Sequence, residues 1–465
     1  MVSASVGLIG LAVMGQNLAL NLAEHGHSIA VFNRTARVTE DFVAANRATF
    51  PVVGASTIRE LVDHLEKPRR LILMIKAGAA VDDLLAQLWD LLAAGDVVVD
   101  GGNSLFSDTE RRQQIAAAHG VFYVGAGISG GEDGARYGPS IMPGGNEMAW
   151  PLVGGMFRDI AARTPSGEAC CEWLGPGGSG HFVKMVHNGI EYGDMQIIAE
   201  AYHLLQAAGL AVGEMAEAFR VFSKGRLSSF LIDITAQILE KTDVDGTPLI
   251  DRVLDTAAQK GTGIWTVRSS LDLAQPVTLM AEAVYSRMVS ALKEERVAAS
   301  RVLAGPSTRV EVSLEDIEDA LYGSKIVSYA QGFMLLAAAS DEYGWGLDQA
   351  RVSPLWRAGC IIRAAFLDDI TTAFRDNPTL PNLMLAPFFA DALATAQPGW
   401  RRVVAAAVTA GVPVPAYSSA LGFFDSYRSA RLPANLIQAQ RDLFGAHTYE
   451  RTDHPRGEFF HTNWS

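Results

Sequence analysis

The opening residues constrain the fold most. An apolar run, SVGLIG at 5–10, leads into a helical pattern from Met14 to Ala23, and a second apolar run follows from Ser28 to Phe32. Between the first run and the helix sits Gly10-Leu11-Ala12-Val13-Met14-Gly15, a G-x-A-x-x-G turn. Small residues there let backbone approach a pyrophosphate, and the helix behind supplies free N–H groups and a favourable dipole. A tight structural turn would use the same glycines. The strand, turn, helix and second strand, in βαβ order, favour a dinucleotide site on a parallel sheet.

The end of the second strand bears on which dinucleotide. A carboxylate there would hold a ribose 2′-hydroxyl, whereas this chain has Asn33-Arg34-Thr35. A guanidinium flanked by an amide and a hydroxyl binds a 2′-phosphate by charge-assisted hydrogen bonds, so NADP is expected. The alternative is an ordinary surface arginine opening a helix. Further strands are expected at Arg70–Ile75, ending at Lys76-Ala77-Gly78, at Asp96–Asp100, ending at Gly101-Gly102-Asn103-Ser104, and at Val121–Val124, ending in the glycine-rich Gly125–Gly131. Loops beyond the carboxyl ends of such strands hold ligands, so these three are expected to touch cofactor and substrate, with Ile75, Lys76, Ala77 and Asn103 at the cofactor. Ser129-Gly130-Gly131 reads equally as an anion nest or a plain turn.

After Gly175-Pro176-Gly177-Gly178-Ser179-Gly180 the βα alternation gives way to helical periods at His181–Gln206, Met215–Phe222, Ser229–Glu240, Glu282–Val302 and Tyr322–Tyr343. The expected fold is an α/β, Rossmann-like dinucleotide-binding domain over 1–178, a large all-α domain over 179–435, and a C-terminal tail over 436–465. KMV at 184–186 and EAY at 200–202 recur as KIV and DEY, both 141 residues later, and FLIDI at 230–234 recurs as FLDDI at 366–370. Internal duplication and chance likeness between helices both explain this. Under duplication, Ser328, Tyr329 and Gly332 stand where His187, Asn188 and Glu191 stand in the first copy, so only one copy is catalytic. The polar tail, with little periodicity, is expected to be frayed or docked.

Composition removes several function classes. The net charge of −13 argues against a nucleic-acid binder, and any anion site must be a local focus of cations. Three cysteines are too few for a disulfide framework, and the first residues run directly into a strand, so a cytoplasmic chain without a signal peptide is expected. The uncharged run Val403–Phe424 contains Gly411, Pro413 and Pro415 and reads as buried helix and turn, so no membrane contact is expected.

The chemistry concentrates in KMVHNGIEY. Lys184, His187, Asn188, Glu191 and Tyr192 recur at i, i+3, i+4, i+7 and i+8, one face of a helix, while Val183, Val186 and Ile190 form an apolar stripe. A solvated, salt-bridged face is the bland alternative, but it rarely gathers so many proton-transferring groups. A desolvated lysine can act as general base and a nearby carboxyl can stay protonated as the acid. His187 lacks the HExxH or CxxC company of a metal site, and no metal is expected.

The sequence resembles the 6-phosphogluconate dehydrogenase family along essentially its whole length. The likeness rests on GLAVMGQNL at 10–18, NRT at 33–35, GGNS at 101–104, GISGGEDGARYGPSIMPGG at 127–145, GHFVKMVHNGIEYGDMQ at 180–196, KGTGIWT at 260–266, QAQRDLFGAHTYE at 438–450 and HTNW at 461–464. The resemblance implies oxidation of 6-phosphogluconate by NADP⁺ and loss of CO₂ to give ribulose 5-phosphate. It implies Lys184 as general base and Glu191 as the acid that protonates the enediol. Asn103, Ser129, Gly130, Gly131, His187 and Asn188 match substrate-binding positions, and Tyr192, Lys260 and Arg287 match groups near the phosphate. Arg441 and His447 match tail residues that complete the neighbouring subunit's site, which implies a homodimer. A non-decarboxylating β-hydroxyacid dehydrogenase and an inactive NADP-binding scaffold stand as the rival readings.

Overall fold

A computed structural model describes residues 3–306 and 308–464. Seven strands, Val6–Ile9 (β1), Ile29–Phe32 (β2), Val52–Gly54 (β3), Arg70–Leu73 (β4), Val97–Asp100 (β5), Phe122–Ser129 (β6) and Ser140–Gly145 (β7), form one sheet in the order β3-β2-β1-β4-β5-β6-β7. Every pair is parallel except β6 with β7. The unbroken apolar runs of β1, β4 and β5 follow from burial on both faces, as parallel sheets require. Helices Val13–Glu24 (α1), Ala36–Asn46 (α2), Ile58–Asp63 (α3), Ala79–Leu88 (α4), Phe106–Ala118 (α5), Gly131–Tyr137 (α6) and Trp150–Ile160 (α7) connect and flank the strands. Leu18 and Leu22 of α1 and Phe157 of α7 pack in one core cluster; Leu61 of α3 and Leu85 and Leu88 of α4 pack in another.

The sheet corrects one expectation with consequences for the site. The glycine-rich stretch from Gly125 is not a loop up to Gly131; it continues β6 as far as Ser129, because β7 pairs with it antiparallel from Val124↔Gly145 to Ser129↔Ser140. SIMPGG carries no alternating pattern, so its role as the strand that supplies those hydrogen bonds is invisible in sequence.

The rest of the first unit is helical: Ser179–Ala207 (α8), Val212–Ser223 (α9), Phe230–Glu240 (α10), Thr262–Asp272 (α11), Thr278–Ala291 (α12), Lys293–Ala299 (α13), Leu314–Tyr343 (α14), Gln349–Leu355 (α15), Leu367–Asp376 (α16) and Pro387–Ala410 (α17). The single helix expected over Glu282–Val302 is broken at Leu292, whose ψ of 45° separates α12 from α13. α8 is buried around most of its circumference, against β6, β7, α11, α12 and α14. Glycines let its first turns lie on the sheet. A Cβ on Gly127 of β6 would stand 2.7 Å from Lys184 Cγ, and one on Gly180 would stand 2.5 Å from the Met142 carbonyl oxygen.

The long α8 followed by α9 and α10 recurs as the long α14 followed by α15 and α16, in the order the repeated sequence segments predict. Lys325, the counterpart of Lys184, is buried and ion-paired with Asp194 of α8. Gly332, the counterpart of Glu191, is where Ile190 packs, with a Cβ there 2.7 Å from Ile190 Cδ1.

The chain forms two compact units, one up to Ser419 and a second over Ala420–Ser465. The apolar run Val403–Phe424 resolves into the end of α17, a left-handed Gly411 (φ 75°), and Pro415–Tyr427 (α18). Among the described residues no helix is long and apolar enough to cross a membrane.

The tail is neither frayed nor irregular, contrary to its lack of periodicity. It holds a helix, Ala434–Gly445 (α19), and a hairpin of Tyr449–Glu450 (β8) with Phe459–Phe460 (β9). Asp442 organises it. Fully buried, its carboxylate accepts from Thr448 N (3.0 Å), His461 Nδ1 (2.9 Å), Thr462 N (3.1 Å) and Trp464 Nε1 (2.8 Å). Burial alone would raise this carboxyl, but the bonds from His461, Trp464 and the two backbone N–H groups outweigh it and hold it down to about 2.

Candidate active site

The polar face of α8 is not solvated. Lys184 is 6% exposed, His187 0% and Asn188 9%, which excludes the salt-bridged surface reading. Lys184 Nζ donates to Asn188 Oδ1 at 2.7 Å and lies 3.3 Å from His187 Nδ1. If Nδ1 accepts from the lysine, Nε2 carries the ring proton and donates to Ser129 Oγ, 3.2 Å away at the end of β6. Trp356 meets the imidazole edge-on, with ring centroids 5.9 Å apart. Glu191 is partly buried one turn further along, its Oε2 3.8 Å from His187 Nδ1.

Burial sets the electrostatics of this face. Desolvation lowers the Lys184 pKa, partly opposed by Glu191 and more weakly by Cys360. Desolvation also raises Glu191 against the pull of Lys184 and Arg287. His187 falls well below the usual imidazole range through burial and then the charge of Lys184, so it is neutral. A lysine shifted down and a carboxyl shifted up, two turns apart on one helical face, suit opposite proton transfers.

The remaining expected residues fall into groups. Tyr192 is buried, and the Arg287 guanidinium lies 3.6 Å from its ring centroid, a cation–π contact that aims this cation beside Glu191. Lys260 is exposed just before Gly261, whose left-handed φ of 98° opens α11. Gly130 and Gly131 both have positive φ and follow Ser129 directly. Asn103 is exposed and lines a small cleft with Lys184, Asn188, Thr262 and Trp265. Roomier clefts lie elsewhere, at α14–α16 and at α2, away from these groups. Arg441 and His447 are exposed on the second unit, Arg441 bonded to Gln438 at 3.1 Å and His447 edge-on to Phe444.

The first strand's turn fits a dinucleotide. Gly10 has φ 102°, and a Cβ there would strike the Met74 carbonyl and Ile75, while one on Gly15 would strike the Gly10 carbonyl. Ala12 caps α1 without any side-chain bond and Leu11 to Met14 bring no acid to its first turn, so the helix end is open to an anion. Asn33 Oδ1 accepts from Leu11 N at 3.1 Å, tying the turn to the end of β2. That hydrogen bond, not a ligand, occupies the Asn33 oxygen. Arg34 and Thr35 stand exposed beside it, and Arg34 has no side-chain partner among the described residues. Lys76 is exposed, and Ile75 and Ala77 are partly buried, in the next loop.

Residues 5–175 match the family model described as the NAD binding domain of 6-phosphogluconate dehydrogenase, and residues 180–464 match the one described as its C-terminal domain. The chain belongs to the 6-phosphogluconate dehydrogenase family. Relatives of the family named "6-phosphogluconate dehydrogenase, decarboxylating" include the rat protein, 54% identical over 100% of this chain and 97% of its own length. A yeast relative, "6-phosphogluconate dehydrogenase, decarboxylating 2" of Saccharomyces cerevisiae, is 52% identical over 99% of this chain and 96% of its own. Among solved structures, Plasmodium falciparum 6-phosphogluconate dehydrogenase, described in its apo form and in complex with its cofactor NADP⁺ and its substrate 6-phosphogluconate, is 41% identical. It superposes with a TM-score of 0.94 over 99% of this chain and 100% of that one.

Sequence reasoning missed several residues at this site. Thr262 and Trp265 lie in KGTGIWT, a segment quoted for its likeness without a role for either. His181, one turn before Lys184, is buried at the cleft, with Thr109 Oγ1 2.6 Å from its Nδ1. Its place on the same helical face was the available signal. Trp356 gave none, being brought under His187 from a segment remote in sequence.

Proposed function

We propose that this chain oxidises 6-phosphogluconate at C3 with NADP⁺ and releases CO₂ to give ribulose 5-phosphate. The observation that carries the reading is the buried Lys184, hydrogen-bonded to Asn188 and two turns along the same helical face from a partly buried Glu191, in a chain of this family. NADP⁺, when bound, accepts the hydride from C3. Gly10 to Gly15 with the open end of α1 would hold its diphosphate, and Arg34 with Thr35 would hold the 2′-phosphate. Residues 1–178 would form the cofactor domain, 179–435 the helical substrate domain, and 436–465 the tail.

Lys184, with its pKa lowered by burial, takes the C3 hydroxyl proton. The ketone so formed lies β to the carboxylate, and the C1–C2 bond breaks with its electrons drawn towards the C3 oxygen. Protonated Lys184 returns its proton to that oxygen, leaving an enediol. Glu191, whose pKa burial raises, donates in its protonated form to the former C2, now C1 of the product, while Lys184 recovers the hydroxyl proton as the second carbonyl forms. Asn188 and neutral His187 orient the lysine, and His187, Ser129 and Asn103 would bind substrate hydroxyls and carboxylate. Arg287, Lys260 and Tyr192 would hold the phosphate, which reconciles an anionic substrate with an acidic chain. Exposed Leu436, Ile437, Leu443 and Phe444 on α19 support a homodimer in which the tail, with Arg441 and His447, completes the partner's site. Incubation with 6-phosphogluconate and NADP⁺ tests the reading. It should give one CO₂ per NADPH, and NADPH without CO₂ would refute decarboxylation.

A further inference from the structure

Arg112 of α5 looks in sequence like half of a surface pair, Arg111-Arg112, yet its side chain is wholly buried. All five of its N–H groups are committed. Nε donates to Asp82 Oδ1 at 2.9 Å, and Nη2 to Asp82 Oδ2 and to the Gly78 carbonyl, both at 3.0 Å. Nη1 donates to Ser104 Oγ at 3.2 Å and to Asp100 Oδ2 at 3.4 Å. One planar fork thus spans two loops, the Ile75–Gly78 loop after β4 and the Gly101–Ser104 loop after β5.

The second loop is held on both sides of Asn103. Asp100 Oδ1 accepts from Gly102 N at 3.1 Å, and Asp100 Oδ2 accepts from Ser104 Oγ at 2.6 Å and from Tyr123 OH at 3.1 Å. Asn103 itself is exposed, so its bracketed neighbours set its direction. The loops also touch, since a Cβ on Gly102 would lie 3.0 Å from the Ile75 carbonyl oxygen.

We propose that Arg112 is a positioning residue that sets the cofactor loop and the substrate loop against one another, so that ligands on the two loops bind in a coupled way. The inference rests on the reading that Ile75–Gly78 holds cofactor and Asn103 holds substrate. A guanidinium is required, because an ammonium has three donors on a single point and cannot reach both arms. The charge survives burial because Asp82 and Asp100 flank it, one on each arm.

The two arms can be cut separately. Ser104→Ala removes the substrate-side hydroxyl and should raise KM for 6-phosphogluconate about tenfold, well beyond any rise in KM for NADP⁺. Asp82→Asn weakens the cofactor-side fork and should do the reverse. Arg112→Lys should bring the ratio of 6-phosphogluconate affinities, with and without NADPH bound, towards one. A merely structural Arg112 would lower the melting temperature and move both KM values in parallel in all three variants, and that outcome, or unaltered KM values, overturns the proposal. If Arg112→Lys does not fold, the two arm variants decide alone. Wild-type protein that does not turn over 6-phosphogluconate would refute the functional reading instead, so the two failures are distinct.

Discussion

Lys184 Nζ and Asn188 Oδ1 lie 2.7 Å apart, one helical turn from each other, in a site that water barely reaches. The same burial that lowers the lysine raises Glu191 on the following turns, and the signs fix a pH profile. In the proposed mechanism oxidation needs Lys184 uncharged, so kcat falls as pH drops through its lowered pKa. The proposed protonation of the enediol needs Glu191 neutral, so kcat also falls as pH rises through its raised pKa. A bell-shaped kcat profile is expected, and Glu191→Gln should lower its plateau by about 10²–10⁴-fold and abolish the alkaline limb. Steady-state rates across pH check both.

Gly127 gives the lysine its channel past β6. Gly127→Ala would press a methyl group into the Lys184 stem, at 2.7 Å from Cγ, so the variant should lose about 1–3 kcal/mol of stability and most of its turnover. Thermal unfolding and kcat measured on one preparation test this. Full activity would mean that Lys184 can do its work from a displaced position.

Arg34 stands exposed at the end of β2, without a side-chain partner among the described residues. Arg34→Ala should weaken NADP⁺ by about 10–100-fold, the loss of one or more hydrogen bonds to a charged group, and hardly affect NAD⁺. Titration with both cofactors gives the comparison. Equal losses would move the 2′-phosphate elsewhere.

The tail owes its shape to Asp442, and this too depends on pH. Its folded value of about 2 lies below the ordinary 3.8, so its contribution is complete above 3.8 and is lost as pH falls through about 2. The indole N–H resonance of Trp464, bonded to Asp442, should shift over that window and should be shifted at neutral pH in Asp442→Ala. Removal of residues 434–465 should abolish turnover while leaving NADPH binding intact, as expected if the tail serves a partner's site.

The polar face of α8 was legible because proton-transferring residue types recur at helical spacing, and the glycine turn because three successive elements frame it. What stayed hidden depends on partners remote in sequence. β7 becomes a strand only beside β6, Arg112 is inward only once α5 has docked, and the tail has order because a single buried carboxylate collects its backbone. Periodicity reports none of these. α14 shows the converse: its Lys325 was visible in sequence, but only its ion pair with Asp194 shows what that side chain does.

Lys184→Met is the most direct test of the account, because methionine keeps the length and packing of the stem and removes only the amine. Single-turnover mixing with 6-phosphogluconate and NADP⁺, followed at the nicotinamide absorbance, should show hydride transfer slowed by about 10²–10⁴-fold while the dissociation constant for NADPH is unchanged. Hydride transfer at the wild-type rate in a variant that binds cofactor normally would contradict the assignment of Lys184 as the base.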